Sequence, residues 1–214
     1  MKLFYQIEKK DLQLEIKINP NTKILIVVEG NDDLKFFEGY LKHLIKKGFI
    51  SDIFQIGQTY GKDKIRPHLE NLENRSEFEN ITAILILFDS DNSYEDTFKT
   101  ISKATEDFKP TPQIVLMPAF NDTESGTLED LCLKILEEDA YLKMSDNLVN
   151  EVEKIENLTE HTPHYHKKRM STYFSIQEKF VGKYIGFNRK AFNYDSEHLD
   201  PLKKILQELY DKNK

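Results

Sequence analysis

The 214-residue chain has no tryptophan, only one cysteine, Cys132, and no apolar run long enough to cross a membrane as a helix. A lone cysteine cannot close an internal disulfide, so disulfide-stapled architectures are excluded and a reducing cytoplasm is the expected compartment. A membrane-spanning helix needs about 18 or more consecutive apolar residues, so none is expected. The opening stretch, MKLFYQIEKKDLQL, lacks the unbroken apolar core of a signal peptide. Positive charge is also in short supply, with a net charge of −7. That balance argues against a large surface that tracks phosphates, although a local basic strip combined with a metal can still hold nucleic acid. Internal repeats and low-complexity blocks are missing as well. What is present suits one domain, or one domain with an appendage: 39% hydrophobic residues for a core and 31% charged residues for a surface.

Leu12, Leu14, Ile16 and Ile18 alternate with polar residues, which predicts a half-buried strand, and Asn19-Pro20-Asn21 predicts a turn. Residues 24–28 form a short unbroken run rich in β-branched side chains, the pattern of a strand buried on both faces of a parallel sheet. A helix follows with Leu34, Phe37, Leu41, Leu44 and Ile45 on one face, closed by Gly48. Residues 52–56 are a second strand candidate, and Ile65, Leu69 and Leu72 mark a second helix. The strongest apolar run, 81–88, ends at Asp89-Ser90-Asp91. Ser93 to Asp96 reads as a capping box opening a third helix. A fourth strand, 113–117, is stopped by Pro118, and Thr127 to Asp130 reads as another capping box before Leu128, Leu131, Leu133 and Ile135.

Strands alternating with helices predict an α/β fold, a parallel sheet of about four strands flanked by helices. Beyond residue 140 the pattern weakens. Residues 151–158 are charged, 161–166 read as a loop, 167–180 as a helix and 202–210 as a short terminal helix. The organisation expected is a strand or hairpin over 1–22 packed on the core, a main domain over 23–140, and a mainly helical extension of the same globule over 141–214.

In an open α/β sheet, ligands bind beyond the carboxyl ends of the strands. Two of the most apolar strands here end in acids, Glu29 and Asp89. If those strands are neighbours, the two carboxylates are close. Asp91 lies two residues beyond Asp89, and in extended backbone positions i and i+2 point the same way. Three unpaired carboxylates repel one another. A hard divalent cation removes that repulsion, and oxygen ligands suit Mg²⁺ or Mn²⁺.

Val28-Glu29-Gly30-Asn31-Asp32-Asp33, followed by Phe36-Phe37, resembles the first TOPRIM motif, and Phe88-Asp89-Ser90-Asp91 resembles the second, the DxD motif. The resemblance covers roughly residues 23 to 140 and implies a TOPRIM, Rossmann-like fold. TOPRIM domains occur in topoisomerases, bacterial primases, small ribosomal-RNA maturases and OLD-family nucleases. The resemblance implies that Glu29 also serves as a general acid or base and that Asp89 and Asp91 bind the metal. The chain is most similar to the OLD-like branch and its small stand-alone relatives. Asp33 lies where OLD-like proteins carry an extra acid, and Gly126 to Leu131 resembles an acidic segment of the small relatives. By that resemblance Asp33 and Glu129 build a second metal position, as in two-metal phosphodiester cleavage. The Gly-Glu-rich stretch that follows DxD in topoisomerases, primases and maturases is replaced here by Asn92 to Asp96. The ATPase that accompanies OLD nucleases is missing: Gly61-Lys62 comes one residue early for a P-loop, and Asp63 stands where Ser or Thr belongs. A separately encoded ATPase is therefore one expected partner.

Other readings compete for the same residues. Asp32, Asp33, Glu129 and Asp130 also suit helix caps, where acids complement the dipole. His161, His164 and His166 lack a visible fourth zinc ligand and read as a solvated loop. Lys167, Lys168 and Arg169, with Lys179, Lys183, Arg189 and Lys190, make the C-terminal region locally basic and are candidates to hold a DNA or RNA backbone. Tyr173, Phe174, Tyr184 and Phe187 are candidates to stack on bases, or else core residues behind a solvated helix face. Lys62 and Lys64 are weaker phosphate candidates. Cys132, among leucines, reads as a buried small hydrophobe. A DxD at a strand end also opens haloacid-dehalogenase-like phosphatases, but that reading leaves Glu29 without a role. A third class, a metal- or nucleotide-binding module that regulates a partner without cutting, fits the acidic charge.

Overall fold

Ile24–Val28, five consecutive apolar residues, form strand β1, and all five are buried. Ile24, Ile26 and Val28 enter one core layer while Leu25 and Val27 enter the other, as the period of two in a strand requires. A strand covered on both faces has no solvated side, which is why its sequence shows no alternation. The structure, a computed structural model, describes residues 18–120, 124–155, 165–180, 182 and 184–214. Of the strand expected before β1, residues 12–17 lie outside the described residues. Ile18 is buried with Leu25 and Val27, and Asn19 and Thr22 form the expected turn.

The sheet contains β1, β2 (Phe54–Gln58), β3 (Ala83–Asp89) and β4 (Gln113–Met117), all parallel, in the order β2-β1-β3-β4. The α/β expectation of a four-stranded parallel sheet flanked by helices is met. Helices α1 (Asn31–Lys46), α4 (Leu128–Ile135), α6 (Tyr165–Ser175) and α7 (Asp200–Asn213) bury side chains in the layer of Ile24 and Val28. Helices α2 (Ile65–Glu73) and α3 (Tyr94–Thr105) cover the opposite face. No helix among the described residues is long and apolar enough to cross a membrane.

Three elements differ from expectation. Strand β2 begins and ends two residues later than expected, because its polar residues are internal. Gln55 is fully buried, and its side-chain oxygen accepts hydrogen bonds from Asn19 N at 2.8 Å and Thr22 Oγ1 at 2.9 Å. A helix of 16 residues, α5 (Ala140–Ile155), occupies the region where the pattern weakened. Helix α6 starts at Tyr165 and stops at Ser175, so His166 is helical and the expected loop ends earlier.

The C-terminal region is built into the core. Leu202 and Leu206 of α7 share a cluster with Ile24 and Ile26. Tyr40 Oη donates to Leu199 O at 3.1 Å, and Tyr194 Oη donates to Phe36 O at 3.2 Å, so α1 is held from the C-terminal side. Leu206→Ala is expected to cost about 2–5 kcal/mol, with urea unfolding followed by circular dichroism and by tyrosine fluorescence remaining one shared transition. Two separated transitions would show that 141–214 folds apart from the sheet.

Candidate functional site

β1 and β3 are neighbours, with Val28 level with Leu87. Glu29 follows the end of β1 and Asp89 is the last residue of β3, so both lie at the carboxyl edge of the sheet. The N-terminus of α1 follows Glu29, and that of α4 meets Asp89. Gly30 caps α1, and its backbone N–H donates to Asp33 Oδ2 at 3.1 Å. A Cβ at residue 30 would stand 3.0 Å from that oxygen, so glycine makes room for the carboxylate. Across the edge, Thr127 caps α4, and Asp130 Oδ2 accepts from Thr127 N at 2.7 Å and Thr127 Oγ1 at 3.0 Å. Leu128 N, in the first turn of α4, donates to Asp89 Oδ1 at 2.8 Å. Ser90 is fully buried; its Oγ donates to Met117 O at 2.5 Å and accepts from Gly126 N at 2.8 Å, locking the turn after β3 to the loop before α4. Two helix N-termini thus converge on one sheet edge, where their partial positive charge favours anions.

The acids exceed what those dipoles neutralise. Burial pushes Asp33 up to about 7; backbone N–H groups oppose this, and Glu29 and Glu129 add to it. Burial, followed by Asp33, Glu129 and Glu29, holds Asp89 well above the usual carboxylate range. Glu29 is raised by burial, with Lys62 opposing. Two buried oxygens at this edge, Glu29 Oε2 and Asp33 Oδ1, have no hydrogen-bond partner among the described residues. A buried carboxylate oxygen without a donor is costly and calls for a cation.

Lys62 supplies part of that positive charge. The loop after β2 is fastened to the end of β1: Thr59 N donates to Val28 O, and Tyr60 N to Glu29 O, both at 3.0 Å. This brings Lys62 Nζ onto the Asp91 carboxylate and to 3.8 Å from Glu29 Oε2. The sequence marked Lys62 as a phosphate candidate; its partners in the structure are carboxylates. The available signal was that β2 borders β1, so the loop after it opens on the same edge.

Asp91 does not lie where extended backbone would put it. Its φ is +49°, a left-handed turn, and its side chain is 57% exposed. The i, i+2 argument fails because β3 ends at Asp89. Glu29, Asp33, Asp89 and Glu129 act on one another's charge as an inner group, with Asp91 on the rim and tied to Glu29 through Lys62. Among the described residues no three His, Cys, Asp or Glu side chains are already placed to hold a metal ion.

Lys167 and Lys168 line a cavity of about 410 Å³ together with Asp32, Glu129, Tyr184 and Ile185. Arg169 turns elsewhere, its guanidinium forked onto Asp146 at 2.5 and 2.7 Å. Tyr173 and Phe174 are core residues, each 1% exposed, so base stacking on them is excluded. Tyr184 and Phe187 are 52% and 62% exposed. His166 Nδ1 lies 2.8 Å from Asp130, while His161 and His164 lie outside the described residues. Cys132 is fully buried, and burial raises its thiol well above the usual range, which leaves it a core residue.

Fold and site together define an α/β protein with a buried carboxylate cluster at the carboxyl edge of a parallel sheet. A family model described as "Protein of unknown function (DUF3226)" matches residues 23–211, and the chain belongs to that family. No curated protein and no solved structure matches it.

The raised pKa of Asp33 makes stability depend on pH. The group titrates at 3.8 when unfolded and at about 7 when folded. Its protonation supports the fold fully below 3.8, and that support is lost as pH rises through 7. Asp33→Asn, which keeps an oxygen for Gly30 N, is expected to gain on the wild type between pH 4 and pH 8 by on the order of 2–4 kcal/mol. Urea unfolding at both pH values measures this, and a difference that stays constant with pH contradicts the burial argument.

Proposed function

We propose that this chain is a TOPRIM-type, Mg²⁺-dependent phosphoryl-transfer enzyme, a nuclease acting on DNA or RNA. The observation that carries the reading is the mutual repulsion of Glu29, Asp33, Asp89 and Glu129, with buried oxygens of Glu29 and Asp33 left without donors among the described residues. Motif order supports it, because the residues that resemble the two TOPRIM motifs end adjacent strands. The donor set is all oxygen, which suits Mg²⁺ or Mn²⁺. Glu29 and Asp89 would hold the ion, with Asp33 and Glu129 serving a second position and Asp91 joining from the rim. When bound, the ion supplies positive charge against a phosphate.

The chain's own groups account for the other requirements. Burial raises the pKa of Glu29, which suits it to take or return a proton beside the reacting phosphate. Leu128 N orients Asp89. Lys167 and Lys168 line the adjoining cavity with Tyr184, and would meet a nucleic-acid backbone there with the tyrosine ring stacking on a base. Arg169, committed to Asp146, serves by holding α6 against α5.

The position of Lys62 favours a second reading. Its ammonium is bonded to Asp91 and lies 3.8 Å from Glu29 Oε2, as suits a module that binds metal or nucleotide phosphates and regulates a partner, such as a separately encoded ATPase. Labelled single- and double-stranded DNA and RNA, incubated with Mg²⁺ or Mn²⁺, separate the two. The nuclease reading expects cleavage that falls by at least about 100-fold in Asp89→Ala. Equal rates in both proteins eliminate it, and stabilisation by Mg²⁺ without cleavage of any substrate selects the module. Lys62→Met is expected to tighten Mg²⁺ binding several-fold in calorimetry, because it removes a competing cation. Weaker binding would mean that Lys62 helps to build the site rather than standing in for the ion.

A further inference from the structure

Helix α5 carries one broad apolar side, only part of which is covered. Leu142 and Val149 point into the protein. On the uncovered part Tyr141, Met144, Leu148, Val152 and Ile155 are between 40% and 79% exposed. These five are not scattered. At 100° per residue they fall in one stripe down the helix, with Tyr141, Leu148 and Ile155 recurring every seven residues, the spacing of a helix-packing seam. A contiguous apolar stripe of this length on a polar protein marks an interaction surface.

The stripe is symmetric about its centre. Counted from Leu148, its members lie at −7, −4, 0, +4 and +7. Turned end over end, it presents the same type of side chain at every level. That is the requirement of a two-fold contact, in which one patch must complement itself. From this register we infer that α5 pairs antiparallel with α5 of a second copy of the chain, with Leu148 on the two-fold axis, Met144 against the partner's Val152, and Tyr141 against the partner's Ile155.

Two further observations favour a second copy in this orientation. Five side chains from each protomer bury on the order of 1,000 Å² in total, near the size at which a specific contact holds. The polar residue bordering the stripe, Glu151, already pairs with its own Lys154 at 2.6 Å. A parallel pair would set the two Glu151 carboxylates level, whereas the antiparallel pair separates them by about 9 Å of helix rise. Beside the stripe, Leu148 and Val152 share a groove of about 230 Å³ with Lys168 and Thr172 of α6, which gives a partner's side chains a place to seat. Lys168 lines the acidic-edge cavity as well, so the pairing would brace α6 behind the candidate site. The inference does not depend on the proposed chemistry.

Sedimentation equilibrium of the full chain at micromolar concentrations tests it. The expected mass is about twice the 25.2 kDa of one chain, and Leu148→Glu is expected to weaken the dimer at least tenfold with an unchanged circular dichroism spectrum. Register is read by cross-linking, with buried Cys132 giving a quiet background. Leu148→Cys alone should couple to its own copy through a short bis-maleimide. Tyr141→Cys alone should not, because its two copies would lie ~21 Å apart along the helix. A wild-type monomer, which would leave the stripe to residues 1–17 or to another protein, overturns the proposal. So does a dimer indifferent to Leu148→Glu, or one in which Tyr141→Cys couples to itself.

Discussion

Glu29 and Asp89 end neighbouring strands on one edge of the sheet, and burial makes both expensive to ionise. Ordinary folding would pair or expose such groups. Here Asp33 and Glu129 add to the crowding, and what opposes it is partial: two helix N-termini, Lys62, and a few backbone N–H groups. The fold keeps a standing excess of negative charge in a half-dry place. Stability alone gives no reason for that arrangement, because replacing buried acids with apolar groups is often neutral or stabilising. Perturbed carboxylates collected at the carboxyl edge of an α/β sheet make this edge the candidate functional site.

Much of the remaining structure holds that edge in place. The sheet sets Glu29 and Asp89 by register. The C-terminal region holds α1, and with it Asp33, through Tyr40 to Leu199, Tyr194 to Phe36, and Arg189 to buried Glu38 at 3.1 Å. Asp32, a helix-cap candidate in the sequence, accepts from Gly186 N at 3.1 Å and ties the same helix to the chain around Tyr184. Ser90 does the equivalent work between β3 and the start of α4. The acids are anchored one by one to different elements, so the cluster exists only when the whole fold does.

The sheet and the inner acids were legible because the signals are local and strong. Unbroken apolar runs marked β1 and β3, and an acid after each run named the edge. Capping patterns at Ser93 and Thr127 placed two helix starts, and Ser93 Oγ accepts from Asp96 N at 3.2 Å. What escaped was set by tertiary context. Gln55 is buried because Asn19 and Thr22 come to meet it. Asp91 leaves the cluster because its φ is positive, in a turn where its N–H donates to the distant Gly126 O at 2.9 Å. Lys62 meets Asp91 across 29 residues of sequence. Helix α5 was missed because its last turn runs into a charged stretch, although its apolar residues share one side at helical spacing.

The most direct measurement is anomalous diffraction from a crystal soaked in Mn²⁺. The account predicts a peak at the carboxyl edge between β1 and β3, with Glu29 and Asp89 oxygens as ligands and the Lys62 ammonium displaced. Mn²⁺ bound only elsewhere, or an edge that excludes the ion and keeps Lys62 on Asp91 and Glu29, would contradict it.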